Sequence, residues 1–191
     1  MKLVILTKPT FFVEEDKILT TLFEEGMEDL HLYKPNSSPM YSERLLSLLP
    51  DEYYRKITVH EHYYLKGEYG LGKIHIDSPT AEQPKDYNGK FSRTCTETSQ
   101  IKNLKKKSEY VFLEDKTADM RILEDAARCG LVDKKVYAAG NISIDNIRQA
   151  KEMGYGGVVF GGDLWNRFDI HNEIDYKRLI QHFEKLRKAI S

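Results

Sequence analysis

Short apolar runs alternate along this chain with longer segments whose apolar residues recur every three or four positions. Leu3 to Leu6 is a continuous aliphatic run, as expected for a strand buried on both faces. Glu14 to Glu25 carries Ile18, Leu19, Leu22 and Phe23 at helical spacing and ends at Gly26. The alternation continues with strands predicted at Asp29–Tyr33, Lys56–His60, Lys73–Asp77, Lys90–Thr94 and Glu109–Leu113. Helices are predicted at Tyr41–Leu49, Thr98–Lys107 and Thr117–Cys129, and a short helix or turn at His62–Tyr69. Ser78 to Gly89 holds Pro79, Pro84 and Asn88-Gly89 and few aliphatics, which predicts a long loop. The last third repeats the unit in its clearest form. Strands at Val136 and Gly157 each run into glycine, at Gly140 and at Gly161-Gly162, around a helical pattern from Ser143 to Met153. A final helix, Tyr176 to Ile190, places Leu179, Ile180, Phe183 and Leu186 on one face.

Strands and helices in strict alternation predict a parallel sheet with crossover helices. Eight such units match a closed (β/α)8 TIM barrel, one domain over residues 1–191, short against the roughly 250 residues usual for that fold. An open, doubly wound sheet of fewer strands is the rival. The first strand is not followed by a glycine-rich fingerprint, which counts against a dinucleotide-binding version. In a barrel the reactive face lies at the C-terminal ends of the strands. The residues to watch are then Thr7, Tyr33, Lys34, His60 to His62, Asp77, Thr94 to Thr96, Glu114 to Lys116, Gly140, Asn141 and Gly161 to Asp163.

Composition changes this picture little. The chain is 40% apolar and 31% charged, ordinary for a globular domain, and its net charge of −1 gives no reason to expect nucleic-acid partners or an anionic membrane surface. No apolar run is long enough to span a bilayer. Met1 to Thr7 looks superficially like a leader, but Lys8-Pro9 follows where a small-residue cleavage site would stand, so it reads as a first strand. Two cysteines, Cys95 and Cys129, make no disulfide framework and suit a reducing, cytoplasmic setting.

The chemistry-bearing candidates cluster at the predicted strand ends. Gly140, Asn141, Gly161 and Gly162 follow two neighbouring parallel strands and offer backbone amides unobstructed by side chains, which suits a phosphate; the plain alternative is tight βα turns. His60-Glu61-His62 ends the third strand. On an extended strand both imidazoles point to one face and could share a metal. Glu61 with Asp77 from the next strand end would instead supply oxygen ligands for Mg2+; the plain alternative is a polar strand end in water. His75, between two isoleucines, reads as a satisfied barrel residue. Cys95 has no nearby base to activate it and is a bystander. Lys34 and Lys116 stand in strand-end loops where a phosphate could reach. With His60 they are the candidate catalytic side chains. Lys102, Lys105, Lys106 and Lys107 form a solvated helix face, and Trp165 and Phe168 read as packing.

Taken together and in order, these segments resemble the thiamine phosphate synthase and TenI-type family, most closely its short TenI-like members. Leu3–Thr7 resembles the family's first strand. Asp-Leu-His-Leu-Tyr-Lys-Pro at 29–35 resembles Val-Gln-Leu-Arg-Glu-Lys, Thr58–Leu65 the Ile-Asn-Asp-Arg segment, and Gly72–Asp77 the Gly-Val-His-Leu-Gly strand. Thr94–Gln100 stands where the family has Ser-Thr-His-Ser, Ala139–Ile142 resembles Ile-Gly-Gly-Ile, and Gly156–Trp165 resembles the eighth strand with its phosphate turn. The resemblance implies a (β/α)8 barrel of thiamine biosynthesis whose partner is a small phosphorylated heterocycle. Its synthases join a pyrimidine methyl diphosphate to a thiazole phosphate with magnesium, and its TenI-type members isomerise the thiazole phosphate. It also implies the thiazole phosphate at Gly140, Asn141, Gly161 and Gly162, magnesium at Glu61, and a homo-oligomer as one form of the protein. Four departures stand out: Tyr33 for the second-strand arginine, Ser78-Pro79-Thr80 for a Gln-Glu-Asp run, Thr96 for a histidine, and a loop after strand six cut to Glu114-Asp115-Lys116-Thr117. These departures leave open a barrel that binds a phosphate ligand, or regulates, without catalysis.

Overall fold

In the computed structural model, which describes residues 1–117 and 119–191, eight parallel strands close into a barrel in sequence order. They are β1 (Lys2–Leu6), β2 (Leu30–Leu32), β3 (Ile57–Val59), β4 (Lys73–Ile76), β5 (Phe91–Cys95), β6 (Val111–Asp115), β7 (Val136–Gly140) and β8 (Gly157–Phe160). Closure is made by β8 against β1, with Lys2 opposite Gly157 and Ile5 opposite Phe160. The open-sheet rival is therefore excluded. Strands of three to five residues explain how the barrel fits in so short a chain.

The surrounding helices are α1 (Glu15–Glu24), α2 (Pro39–Leu48), α3 (Tyr64–Tyr69), α4 (Ile101–Lys107), α5 (Arg121–Arg128), α6 (Ile147–Glu152), α7 (Gly162–Trp165) and α8 (Glu173–Ile190). Apolar stripes such as Ile18, Leu19, Leu22 and Phe23 of α1 and Leu179, Phe183 and Leu186 of α8 are buried against the outer barrel wall. The Asn172 side chain caps α8 by accepting from the Ile174 amide at 2.9 Å, a contact worth about 1 kcal/mol. No protein helix among the described residues is long and apolar enough to cross a membrane.

Several boundaries differ from the sequence expectation, α6 starting at Ile147 and α8 at Glu173 among them, and two bear on the site. The strand predicted at Glu109–Leu113 runs two residues later, so that Glu114 and Asp115 belong to β6. The helix predicted from Thr117 begins at Arg121, because Asp115 Oδ1 takes both the amide (2.8 Å) and the hydroxyl (2.5 Å) of Thr117 and holds it in a turn. Ala118, inside the predicted helix, lies outside the described residues.

Side chains alternate in and out along each strand. One set, including Ile5, Leu30, Leu32, Ile74, Val111 and Leu113, packs against the helices. The other points into the barrel and is unusually polar: His31, His60, His75, Ser92 and Thr94 stand there beside Val4, Tyr110, Phe112, Tyr137, Ala139 and Val159, all buried. Gly157 belongs to the floor, where a Cβ would lie 2.6 Å from the Tyr137 ring. Its bareness lets that ring stack on Tyr110 with centroids 4.4 Å apart.

Candidate active site

Continuing each inward stripe toward the C-terminal ends brings Tyr33, His60, Asp77, Glu114, Asn141 and Gly161 to one mouth. A cavity of about 920 Å3 opens at the other end, lined among others by Lys2, Asp29, Lys73, Glu109 and Tyr110. The glycine turns and strand-end carboxylates lie at the mouth, so the site is placed there rather than in that cavity.

Two of the glycine-ended strands form one wall. Gly140 has φ of +102°, and a Cβ on it would lie 1.8 Å from the Asp115 carbonyl oxygen. Here the β6 and β7 ends meet too closely for any side chain. Gly140→Ala is expected to cost on the order of 3 kcal/mol, read as the unfolding midpoint in urea. Across the wall, the amides of Gly161, Gly162 and Asp163 make no hydrogen bond among the described residues. They are the bare donors that open α7. A Cβ on Gly161 would meet nothing nearer than Leu6, at 3.6 Å, so this glycine faces open space. The Asp163 carboxylate turns away to His182 (2.8 Å) and Arg167 (2.8 Å), which leaves its amide free of its own charge. The Asn141 side chain donates to the Thr117 carbonyl (2.9 Å) and braces the loop after β6.

The opposite wall is acidic. Burial pushes the Tyr33 hydroxyl up from its ordinary range, and the charges of Asp77, Glu61 and Glu114 push it further. Glu61 accepts the Lys34 amide at 3.1 Å. Burial raises its carboxyl too, against the pull of that hydrogen bond. Asp77, 43% exposed, accepts from His60 Nδ1 at 2.8 Å.

The remaining candidates are placed as follows. The His60–His62 pairing expected of an extended strand does not form. β3 ends at Val59 and His62 has φ of +53°, so its ring leaves for the Ser37 carbonyl (3.0 Å) while His60 turns inward. Lys34 is wholly buried; its ammonium donates to Glu15 (2.6 Å), to the Lys8 carbonyl (2.8 Å) and to the Thr10 carbonyl (3.1 Å). Lys116 is exposed, 3.8 Å from Glu114. Burial pushes the Cys95 thiol up to about 12, so it is inert.

Sequence reasoning missed His31, Tyr110 and Arg93. Arg93 donates to the Ser78 and Ala81 carbonyls and pins the long loop after β4. His31, His60 and His75 bring ring nitrogens within 4.8 Å of one another, a spacing a metal could use. Every one of those nitrogens already has a partner: His31 with His60 and Tyr110, His60 with Asp77, His75 with Ser92 and Thr94. The cluster is a satisfied hydrogen-bond network. For magnesium, the fitting groups are Glu61 and Asp77, two carboxylates on adjacent strand ends that keep spare lone pairs beyond the bonds they accept.

No protein-family model and no curated protein matches the sequence. Among solved structures, a thiamine phosphate pyrophosphorylase from Bacteroides thetaiotaomicron is 46% identical over 99% of this chain and 97% of that one, with a TM-score of 0.90. The chain belongs to the thiamine phosphate pyrophosphorylase (synthase) family. A second member, from Pyrococcus furiosus, superposes with a TM-score of 0.76 at 16% identity over 99% of this chain and 95% of that one. A 3-hexulose-6-phosphate synthase from Salmonella typhimurium does so with 0.66 at 11% identity, covering 100% and 98%. These two share the fold. Two of the departures from the family's motifs lie on the acidic side of the mouth: the Tyr33 ring packs edge-on against His60 with centroids 5.3 Å apart, and the Ser78 carbonyl accepts from Arg93.

Proposed function

We propose that this barrel binds a thiazole phosphate through the turns at Gly140 and Gly161 and joins it to a pyrimidine methyl diphosphate, releasing pyrophosphate. The observation that carries this reading is the run of uncommitted amides at Gly161, Gly162 and Asp163 facing the mouth, in a chain 46% identical to a thiamine phosphate pyrophosphorylase. A phosphate seated there directs the thiazole nitrogen across the mouth, where the reacting carbon would be held close and in line. Breaking the carbon–oxygen bond to the diphosphate leaves positive charge on the pyrimidine methylene as the new carbon–nitrogen bond forms. The fixed carboxylates of Asp77, Glu61 and Glu114 around Tyr33 favour that charge. Glu61 and Asp77 would hold magnesium, which supplies neutralisation of the departing pyrophosphate.

A second reading has its own observation. Tyr33 replaces the arginine of the family motif, and Lys34 is committed to Glu15, so neither offers the mouth a free cation for a diphosphate. A barrel that binds the thiazole phosphate without condensing it fits this equally. Incubation with both precursors and magnesium, followed by chromatography, separates the two. Thiamine phosphate and pyrophosphate in equal amounts are expected. No product, together with calorimetric binding of thiazole phosphate, would leave the binder.

A further inference from the structure

A continuous hydrogen-bonded chain runs up the inside of the barrel. Tyr110 Oη lies 2.9 Å from His31 Nε2, His31 Nδ1 lies 2.8 Å from His60 Nε2, and His60 Nδ1 lies 2.8 Å from Asp77. Tyr110 sits immediately before β6 and lines the cavity at the N-terminal end of the strands. It is four residues below Glu114, about 13 Å at the usual strand rise. The protein donors of this chain come from separate strands, yet their roles interlock. A carboxylate only accepts, so His60 carries its proton on Nδ1. With one proton on each ring, His60 Nε2 is then bare and needs a donor across the 2.8 Å contact, so His31 carries its proton on Nδ1. That leaves His31 Nε2 bare; the Tyr110 hydroxyl, at 2.9 Å, is the group within hydrogen-bond reach that donates to it, while the Asp29 carboxylate stands off at 3.6 Å. Packing fixes the rings in place: His60 stacks on His75 with centroids 4.3 Å apart, and His75 lies tilted against Phe112 at 4.5 Å. His75 imposes no direction on this chain: its hydrogen-bond partners are the Ser92 and Thr94 hydroxyls, which either donate or accept, and its Nε2 lies further off, 3.5 Å, from Asp77.

We propose that Tyr110 and His31 are positioning residues: their hydrogen bonds run one way, from the barrel floor to Asp77, and hold that carboxylate toward the mouth through His60. The role in turnover rests on the condensation proposed above; the direction of the chain does not. A hydroxyl at the N-terminal end of the barrel thereby sets the orientation of a charge at the C-terminal mouth. Each donor in the chain is matched to one acceptor, so no member can rotate alone without stranding a buried nitrogen.

Two measurements on the full chain test this. Ring nitrogen-15 spectra are expected to show His60 and His31 each protonated on Nδ1 and bare on Nε2. A proton on Nε2 of either ring overturns the chain's direction. Tyr110→Phe, which removes one oxygen, is expected to lower kcat about tenfold while KM for both precursors stays within twofold. His31→Asn, whose amide nitrogen overlays Nδ1, is expected to keep several-fold more activity than His31→Leu at similar stability. Unchanged kcat in folded Tyr110→Phe, or equal loss in the two His31 variants, overturns the positioning role. If the unaltered protein condenses nothing, the proposed function falls, and the nitrogen spectra alone decide the chain.

Discussion

Lys34→Met is expected to destabilise the barrel by about 3–5 kcal/mol, the cost of leaving a buried charge without its partner. Lys34 is wholly buried and Glu15 is 2% exposed. Burial pulls the lysine down and pushes the glutamate up, and each is held charged by the other across 2.6 Å. Two backbone carbonyls, of Lys8 and Thr10, complete the ammonium's shell, and Phe11 lies under it at 4.4 Å from the ring centroid. The second Glu15 oxygen has no partner among the described residues, so methionine at 34 would strand the whole carboxylate. Urea unfolding of Lys34→Met should show the full loss. Lys34→Met combined with Glu15→Gln should recover at least half, because the charge is gone and the glutamine amide can donate to the loop carbonyls. A free catalytic cation would behave the other way, with normal stability and lost activity in the single variant.

Gly161→Asp is expected to weaken thiazole phosphate binding at least a hundredfold, about 2.7 kcal/mol, while the melting temperature moves by less than about 4 °C. The new Cβ meets only Leu6, at 3.6 Å, so the fold has room for it. The carboxylate, however, stands beside the bare amides of Gly162 and Asp163, where it competes with the phosphate as an internal anion. Calorimetry gives the affinity and a thermal melt gives the stability. Equal affinity in the two proteins would move the phosphate to another turn.

The barrel was legible because strands such as β1 and β8 carry uninterrupted apolar runs and helices such as α1 and α8 carry their own stripes. The glycine turns were legible for a related reason: Gly140 and Gly161 follow such runs directly, and the need for bare backbone is written in one residue. What the sequence concealed was pairing between distant strands. Leu30-His31-Leu32 alternates as an ordinary half-exposed strand would, yet in a closed barrel the second face is the interior, and His31 meets Tyr110 from a strand four places on. The Lys34 strand-end position suggested a free cation, since nothing near it in sequence announces Glu15 on α1 as its partner. The His60-Glu61-His62 spacing suggested a shared ligand, and failed because β3 stops at Val59.

The chain has a single tryptophan, and it closes the short helix that the Gly161 turn begins. The Trp165 indole is 4% exposed and donates to the Leu6 carbonyl at 2.7 Å, so it is tied at once to the turn and to the end of β1. Its emission is therefore an intrinsic optical gauge of the turn, needing no label, with a baseline set by one buried hydrogen bond.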